Sequence, residues 1–192
     1  GAVGVHIYTA SGFVLGFLMI IAAFEGRTAT VLWLFLIAMI IDGTDGFLAR
    51  KVRVKEATPW FDGALLDNIV DYLTYAFAPA IFLYVGGYLP EGNAGIFFAC
   101  LPLLASTYQF CRSDAKTEDH CFMGFPSYWN ILAFYIVIFD LSTTMNAALL
   151  VIFSILVFVP IRYVYPSRTE NLWRTNMALT AMWLVMYAVL VA

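Results

Sequence analysis

Charge is scarce in this chain. Asp, Glu, Lys and Arg make up 12% of its 192 residues, while 62% are hydrophobic and the mean hydropathy is +0.85. A soluble domain carries about 25% charged residues, so an ordinary soluble enzyme is excluded, as are a disordered chain and a fibrous repeat. The net charge is only −3, which implies no nucleic acid and no acidic polymer as partner. Cysteine is also sparse. Cys100, Cys111 and Cys121 are odd in number and lack a CxxC spacing, which argues against a disulfide framework or a structural zinc site. Cys121 follows His120, but two neighbouring ligands do not hold a metal. Internal repeats and low-complexity tracts are missing too.

Long apolar runs are plentiful, and about 20 such residues are needed for a helix to cross the hydrocarbon core. That length places spans near 5–24, 29–50, 61–87, 94–112, 125–140, 145–165 and 174–192. The runs do not alternate as barrel strands do, so the expectation is an all-α integral membrane protein, one polytopic domain over 1–192. The first run is too long and too plain in its flanks for a signal peptide. The chain opens at Gly1 without a methionine and its last run ends with the chain, which leaves room for a preceding piece and for a further helix.

Basic residues orient the spans. Arg50, Lys51, Arg53, Lys55, Arg112, Lys116, Arg162, Arg168 and Arg174 fall on one side and Arg27 on the other. Positive loops stay in the cytoplasm, so the ends of spans 2, 4 and 6 are expected there. Residues 51–56 read as a basic stretch lying on anionic headgroups. Thr58 and Pro59 read as the N-cap and first residue of the third span, with Trp60 and Phe61 at the interface.

Against this apolar background one acidic cluster stands out. Span 2 ends in Asp42-Gly-Thr-Asp45-Gly46-Phe-Leu-Ala49-Arg50, and span 3 carries Gly63, Asp67 and Asp71 at intervals of four. An intramembrane carboxylate costs roughly 2.5–3.5 kcal/mol to insert and persists where it pairs, binds an ion or lines a wet cavity. Asp42 and Asp45 share one helix side, as do Asp67 and Asp71. Four carboxylates then converge and repel. Hard divalent cations with oxygen ligands relieve that repulsion, and two metals suit phosphoryl transfer. Gly46, Ala49 and Gly63 leave room where the helices approach, or simply pack them. Arg50 either holds a phosphate or obeys the positive-inside rule.

The run Asp42-x2-Asp45-Gly46-x2-Ala49-Arg50-x12-Gly63-x3-Asp67-x3-Asp71 resembles the signature of the CDP-alcohol phosphotransferases, with every fixed residue type present. The usual spacer between arginine and glycine is eight residues. The twelve found here, and the stretch Phe122-Met-Gly-Phe-Pro-Ser-Tyr-Trp-Asn130, are similar to the bacterial phosphatidylcholine synthase branch, which joins CDP-diacylglycerol to choline. The resemblance covers the first six spans, and the seventh fits the extra helices of that branch. It implies two Mg2+ or Mn2+ ions on Asp42, Asp45 and Asp67, with Asp71 beside the metals as general base on the acceptor hydroxyl and CMP as leaving group. Gly46, Ala49 and Gly63 would shape the cytidine and diphosphate pocket, with Arg50 nearby. It also implies a homodimer in the bacterial inner membrane with its site facing the cytoplasm.

A choline acceptor needs aromatic faces for its quaternary ammonium. With 17 Phe, 11 Tyr and 5 Trp in the chain, composition cannot select them. Position suggests Tyr75, one turn beyond Asp71, then Tyr108, Tyr128 and Trp129, each of which could instead pack or anchor at the interface. Glu118 and Asp119 could offer a counter-charge or lie in a solvated loop. His6 and His120 read as polar contacts, and Asp140 lies on the far side. Serine, glycerol phosphate or inositol phosphate are alternative acceptors, although basic side chains for an acceptor phosphate are few. A cation transporter is the rival from another class. Transporters carry repeated halves with sites at midplane, whereas this acidic cluster occurs once and near one surface.

Overall fold

The computed structural model describes residues 1–115, 117, 121–165 and 172–192. Helix α1 (Ala2–Phe24) turns through Gly26, at φ +68°, into α2 (Thr28–Lys51), and the two pack along their length. One turn of helix, α3 (Val54–Ala57), leads to α4 (Gly63–Asp71), which continues through a π-helical segment, Tyr72–Phe77, into α5 (Ala78–Val85). Helix α6 (Asn93–Cys111) follows, then α7 (Trp129–Ile138), α8 (Thr143–Phe158) and α9 (Trp173–Val191). Strands β1 (Cys121–Met123) and β2 (Arg162–Val164) pair antiparallel, with Phe122 opposite Tyr163. The protein is an all-α multi-pass membrane protein apart from this short ladder.

Among the described residues five segments are long and apolar enough to cross a membrane: Ala2–Phe24, Thr28–Lys51, Gly63–Val85, Asn93–Cys111 and Trp173–Val191. The runs at 125–140 and 145–165 give shorter helices than their hydropathy suggests. Helix α7 has 10 residues, about 15 Å. It starts only after Pro126 and Ser127, the latter at φ +60°, and gives way to Asp140 at φ +47°. Helix α8 stops at Phe158 because Val159 is extended ahead of Pro160, the conformation proline imposes on its predecessor. The third span also starts later than Thr58-Pro59 suggests. Asp62 is its N-cap, and its carboxylate accepts the amide hydrogens of Ala64 at 3.1 Å and Leu65 at 3.0 Å. The Thr58 hydroxyl is instead bonded to the carbonyl of Val54 and to His6 Nε2.

The core gathers Phe35 and Leu32 of α2, Phe82 of α5, Trp129 and Phe134 of α7, Leu150 of α8 and Tyr187 of α9. Tyr187 stacks on Phe134 at 3.9 Å and donates to the Leu32 carbonyl at 2.9 Å, which ties α9 to α2.

Helix α1 acts as a strut behind the acidic helices. A Cβ on Gly12 would come within 2.4 Å of Val70 Cγ1, and one on Gly16 within 2.6 Å of Leu73 Cδ2. Small residues let membrane helices approach closely. Since Val70 adjoins Asp71, a side chain at position 12 must displace the acidic face of α4. Gly12→Val is expected to destabilise the fold by about 1–3 kcal/mol, the usual range for overpacking. Thermal unfolding in detergent would read this, and an unchanged midpoint would refute so tight a contact.

Candidate active site

Asp42 and Asp45 lie near the C-terminal end of α2, and Asp67 and Asp71 on α4. One carboxylate oxygen from each of Asp42, Asp67 and Asp71 lies within 4.8 Å of the others. The fourth carboxylate sits behind them. Asp45 is 6% exposed and accepts a 2.8 Å hydrogen bond from Thr9 Oγ1 of α1, and with Asp42 and Asp71 it borders a small internal cavity. Three of the four expected carboxylates therefore meet at one point, and the fourth is oriented by a hydroxyl one layer deeper.

A cavity of about 210 Å³ opens onto the three carboxylates. Tyr75 and Tyr128 line it with ring centroids 5.7 Å apart, and Phe122 meets Tyr128 edge-on at 6.1 Å and stacks on Tyr165 at 4.6 Å. The Tyr75 hydroxyl donates to Asp42 Oδ2 at 2.6 Å, so the aromatic wall also holds a carboxylate in place. Tyr75 is within the π-helical segment directly after Asp71. In a regular turn the ring of Pro79 would collide with the Tyr75 carbonyl, and the wider π turn absorbs that conflict. Such turns are frequent at functional sites.

Gln109 and Arg112, at the end of α6, also line the cavity. Gln109 donates through Nε2 to the Met123 carbonyl at 3.2 Å, while its buried Oε1 accepts no hydrogen bond among the described residues. The Arg112 guanidinium forks onto Asp114 through bonds of 2.6 and 2.7 Å. That fork holds the Asp114 carboxyl below its usual range.

Other expected site residues stand apart. Trp129 is 1% exposed, donates its indole N–H to Ser106 at 2.7 Å and packs edge-on against Phe125; it belongs to the core and does not line the cavity. Tyr108 faces outward, against Phe158 and beneath the Arg112 guanidinium, and is likewise absent from the lining. Gly46 and Ala49 are half-buried on α2, with a Cβ at Gly46 only 3.4 Å from the guanidinium of exposed Arg50. A Cβ at Gly63 would lie 2.8 Å from the His6 ring, so this glycine seats α4 against α1. His6 is a polar contact, hydrogen-bonded to Thr58 at 2.9 Å and packed on Phe61 at 4.3 Å. Glu118, Asp119 and His120, as well as Lys116 and Arg168, lie outside the described residues.

Phe122 and Tyr165 were not picked out as site residues from sequence. The ladder brings them together: Phe122 is in β1 and Tyr165 directly follows β2. Phe122 lies in a stretch that resembled a family branch, but Tyr165, some forty residues away, carries no local signal. Gly124 sustains the arrangement. Its φ is +78°, its amide donates to the Ile161 carbonyl at 2.8 Å, and a Cβ would lie 2.2 Å from the Val157 carbonyl oxygen.

Three hard oxygen donors converging at this distance fit a divalent cation, since Mg2+ and Mn2+ favour carboxylates. The arrangement can hold such ions beside a pocket whose walls include the rings of Tyr75, Tyr128, Phe122 and Tyr165.

Comparison with known proteins agrees with this geometry. The family model described as CDP-alcohol phosphatidyltransferase matches residues 6–159. A phosphatidylcholine synthase of Legionella pneumophila is 47% identical over 169 residues, covering 88% of this chain and 66% of that protein. One from Borreliella burgdorferi is 44% identical over 176 residues, 92% of this chain and 75% of that protein. One from Pseudomonas aeruginosa is 39% identical over 189 residues, 98% and 79% respectively. The chain thus spans just under two thirds of the Legionella relative and about three quarters or more of the other two.

Proposed function

The chain belongs to the CDP-alcohol phosphatidyltransferase family, and from that premise we propose that it transfers the phosphatidyl group of CDP-diacylglycerol to the hydroxyl of choline, giving phosphatidylcholine and CMP. The supporting relatives carry the name phosphatidylcholine synthase. The observation that carries the acceptor is a single cavity whose lining joins three carboxylates to the rings of Tyr75, Tyr128, Phe122 and Tyr165. A trimethylammonium group cannot be neutralised and offers no N–H. An aromatic face binds it at about 0.5–2 kcal/mol each.

The choline oxygen attacks the phosphorus that carries diacylglycerol, the phosphoanhydride bond to CMP breaks, and the hydroxyl proton passes to Asp71. Asp71 takes this role as the last aspartate of the run that resembles the family signature, and it lines the cavity. Tyr75 fixes Asp42 and Thr9 fixes Asp45, which keeps the acidic residues in place as charge shifts in the reaction. Bound at Asp42, Asp67 and Asp71, with Asp45 behind them, Mg2+ or Mn2+ would supply positive charge to the diphosphate. Gly46, Ala49, Arg50 and Gly63 flank the cluster on the side assigned to the cytidine diphosphate. On this reading the enzyme is a homodimer in the bacterial inner membrane, as the family resemblance implies, and the placement of nine of its ten basic residues on one side of the span map supports a site facing the cytoplasm.

An acceptor panel tests the reading. The reconstituted protein, given CDP-diacylglycerol and Mn2+, is expected to release CMP with choline and not with serine, inositol, glycerol phosphate or inositol phosphate. Release with one of those others instead would replace the acceptor and keep the aspartate chemistry.

A further inference from the structure

An arginine in the wall of a pocket that receives a cation is a conflict, and Asp114 resolves it. Arg112 lines the cavity, its side chain is 11% exposed, and it is the one basic residue among the described lining. Left alone it would repel an ammonium and attract an anion, because guanidinium groups stay charged and fit phosphate and carboxylate forks. Two of its nitrogens are committed to Asp114, at 2.6 and 2.7 Å, and its remaining NH1 reaches the Met123 carbonyl at 3.4 Å. Its flat face lies over the Tyr108 ring at 5.2 Å. Asp114 faces water, with 70% of its side chain exposed. It lies outside the lining, in a turn three residues beyond the end of α6.

We propose that Asp114 is a positioning residue that sets the charge preference of the acceptor pocket: by occupying the Arg112 fork it keeps the pocket open to a quaternary ammonium and closed to anions. This rests on choline as the acceptor proposed above. Without Asp114 the same pocket would hold an oriented guanidinium beside the carboxylates, a latent anion subsite.

The test uses the full chain in lipid nanodiscs. Asp114→Asn keeps the shape and removes the charge, and an exposed turn residue leaves the fold intact. A unit charge freed within a Debye length of the ammonium is expected to raise the KM for choline about tenfold. The Kd for tetramethylammonium, measured by calorimetry without CDP-diacylglycerol, should rise in parallel. Inorganic phosphate, inert on the parent protein, should become a competitive inhibitor with respect to choline. Asp114→Glu should restore choline affinity and phosphate resistance. In Arg112→Gln/Asp114→Asn both charges are gone, and phosphate inhibition should vanish again.

If Asp114 only braces the turn, Asp114→Asn will weaken choline without gaining phosphate inhibition, and the double variant will be no better; that result overturns the proposal. Unchanged choline and tetramethylammonium binding in Asp114→Asn overturns it as well. A parent protein that binds tetramethylammonium but releases no CMP with choline would contradict the proposed function and leave the binding comparison to decide the role of Asp114.

Discussion

Asp71→Asn is expected to lower CMP release by about three orders of magnitude, within the range that a positioned general base contributes, while CDP-diacylglycerol binding stays nearly as in the parent. The asparagine is isosteric, so the close packing of α4 against α1 through Gly12 and Gly16 is untouched, and its amide oxygen still offers a donor to the cluster, but it cannot accept the choline proton. Asp67→Ala should behave differently. It removes one of the three converging oxygen donors and should weaken Mn2+ binding, CDP-lipid binding and turnover together. Paired measurements of CMP release and CDP-lipid binding separate the two roles. Equal loss of binding in both variants would contradict Asp71 as the base.

Removal of divalent cations is expected to have the other large effect. Three carboxylates with oxygens inside 4.8 Å repel one another unless a cation sits between them, because Coulomb energies grow as the dielectric falls. Treatment with excess EDTA should bring CMP release to the blank, and either Mn2+ or Mg2+ in excess should restore it. Mn2+ binding to the protein alone, followed by electron paramagnetic resonance, gives a readout that does not depend on turnover. Full activity in chelator would remove the metal from the account.

Much of the site was legible because intramembrane carboxylates are costly and their helical spacing is informative. The intervals between Asp42 and Asp45 and between Asp67 and Asp71 correctly grouped residues on two helices that meet in space. Whether an aspartate points into the cavity or one layer behind it was not legible. Asp45 is turned inward by Thr9, a residue of α1 thirty-six positions earlier. The start of the third span was misplaced for a local reason: Thr58-Pro59 has the right residue types, but Asp62 caps two amides while His6 and Val54 engage the Thr58 hydroxyl.

The aromatic wall was half visible. Tyr75 and Tyr128 follow from their place near Asp71 and at the entry to α7. Trp129 does not, because adjacent residues at a helix start point in different directions, and its indole finds Ser106 in the core. Phe122 and Tyr165 depend on strand pairing between segments that flank α7 and α8. Three-residue strands among long apolar runs leave no periodic trace. The apparent sixth span is likewise short, since α8 stops ahead of Pro160 and residues 162–164 form β2 and not helix.

The central claim is that phosphatidyl moves from CDP-diacylglycerol to choline. The most direct test supplies the reconstituted protein with CDP-diacylglycerol, Mn2+ and methyl-labelled choline, and in a parallel reaction with labelled CDP-choline and diacylglycerol. The account predicts labelled phosphatidylcholine and CMP in equal amounts from the first pair, none from the second, and none from either with Asp71→Asn. Labelled lipid from CDP-choline and diacylglycerol alone, or lipid formed from choline without CMP, would contradict it.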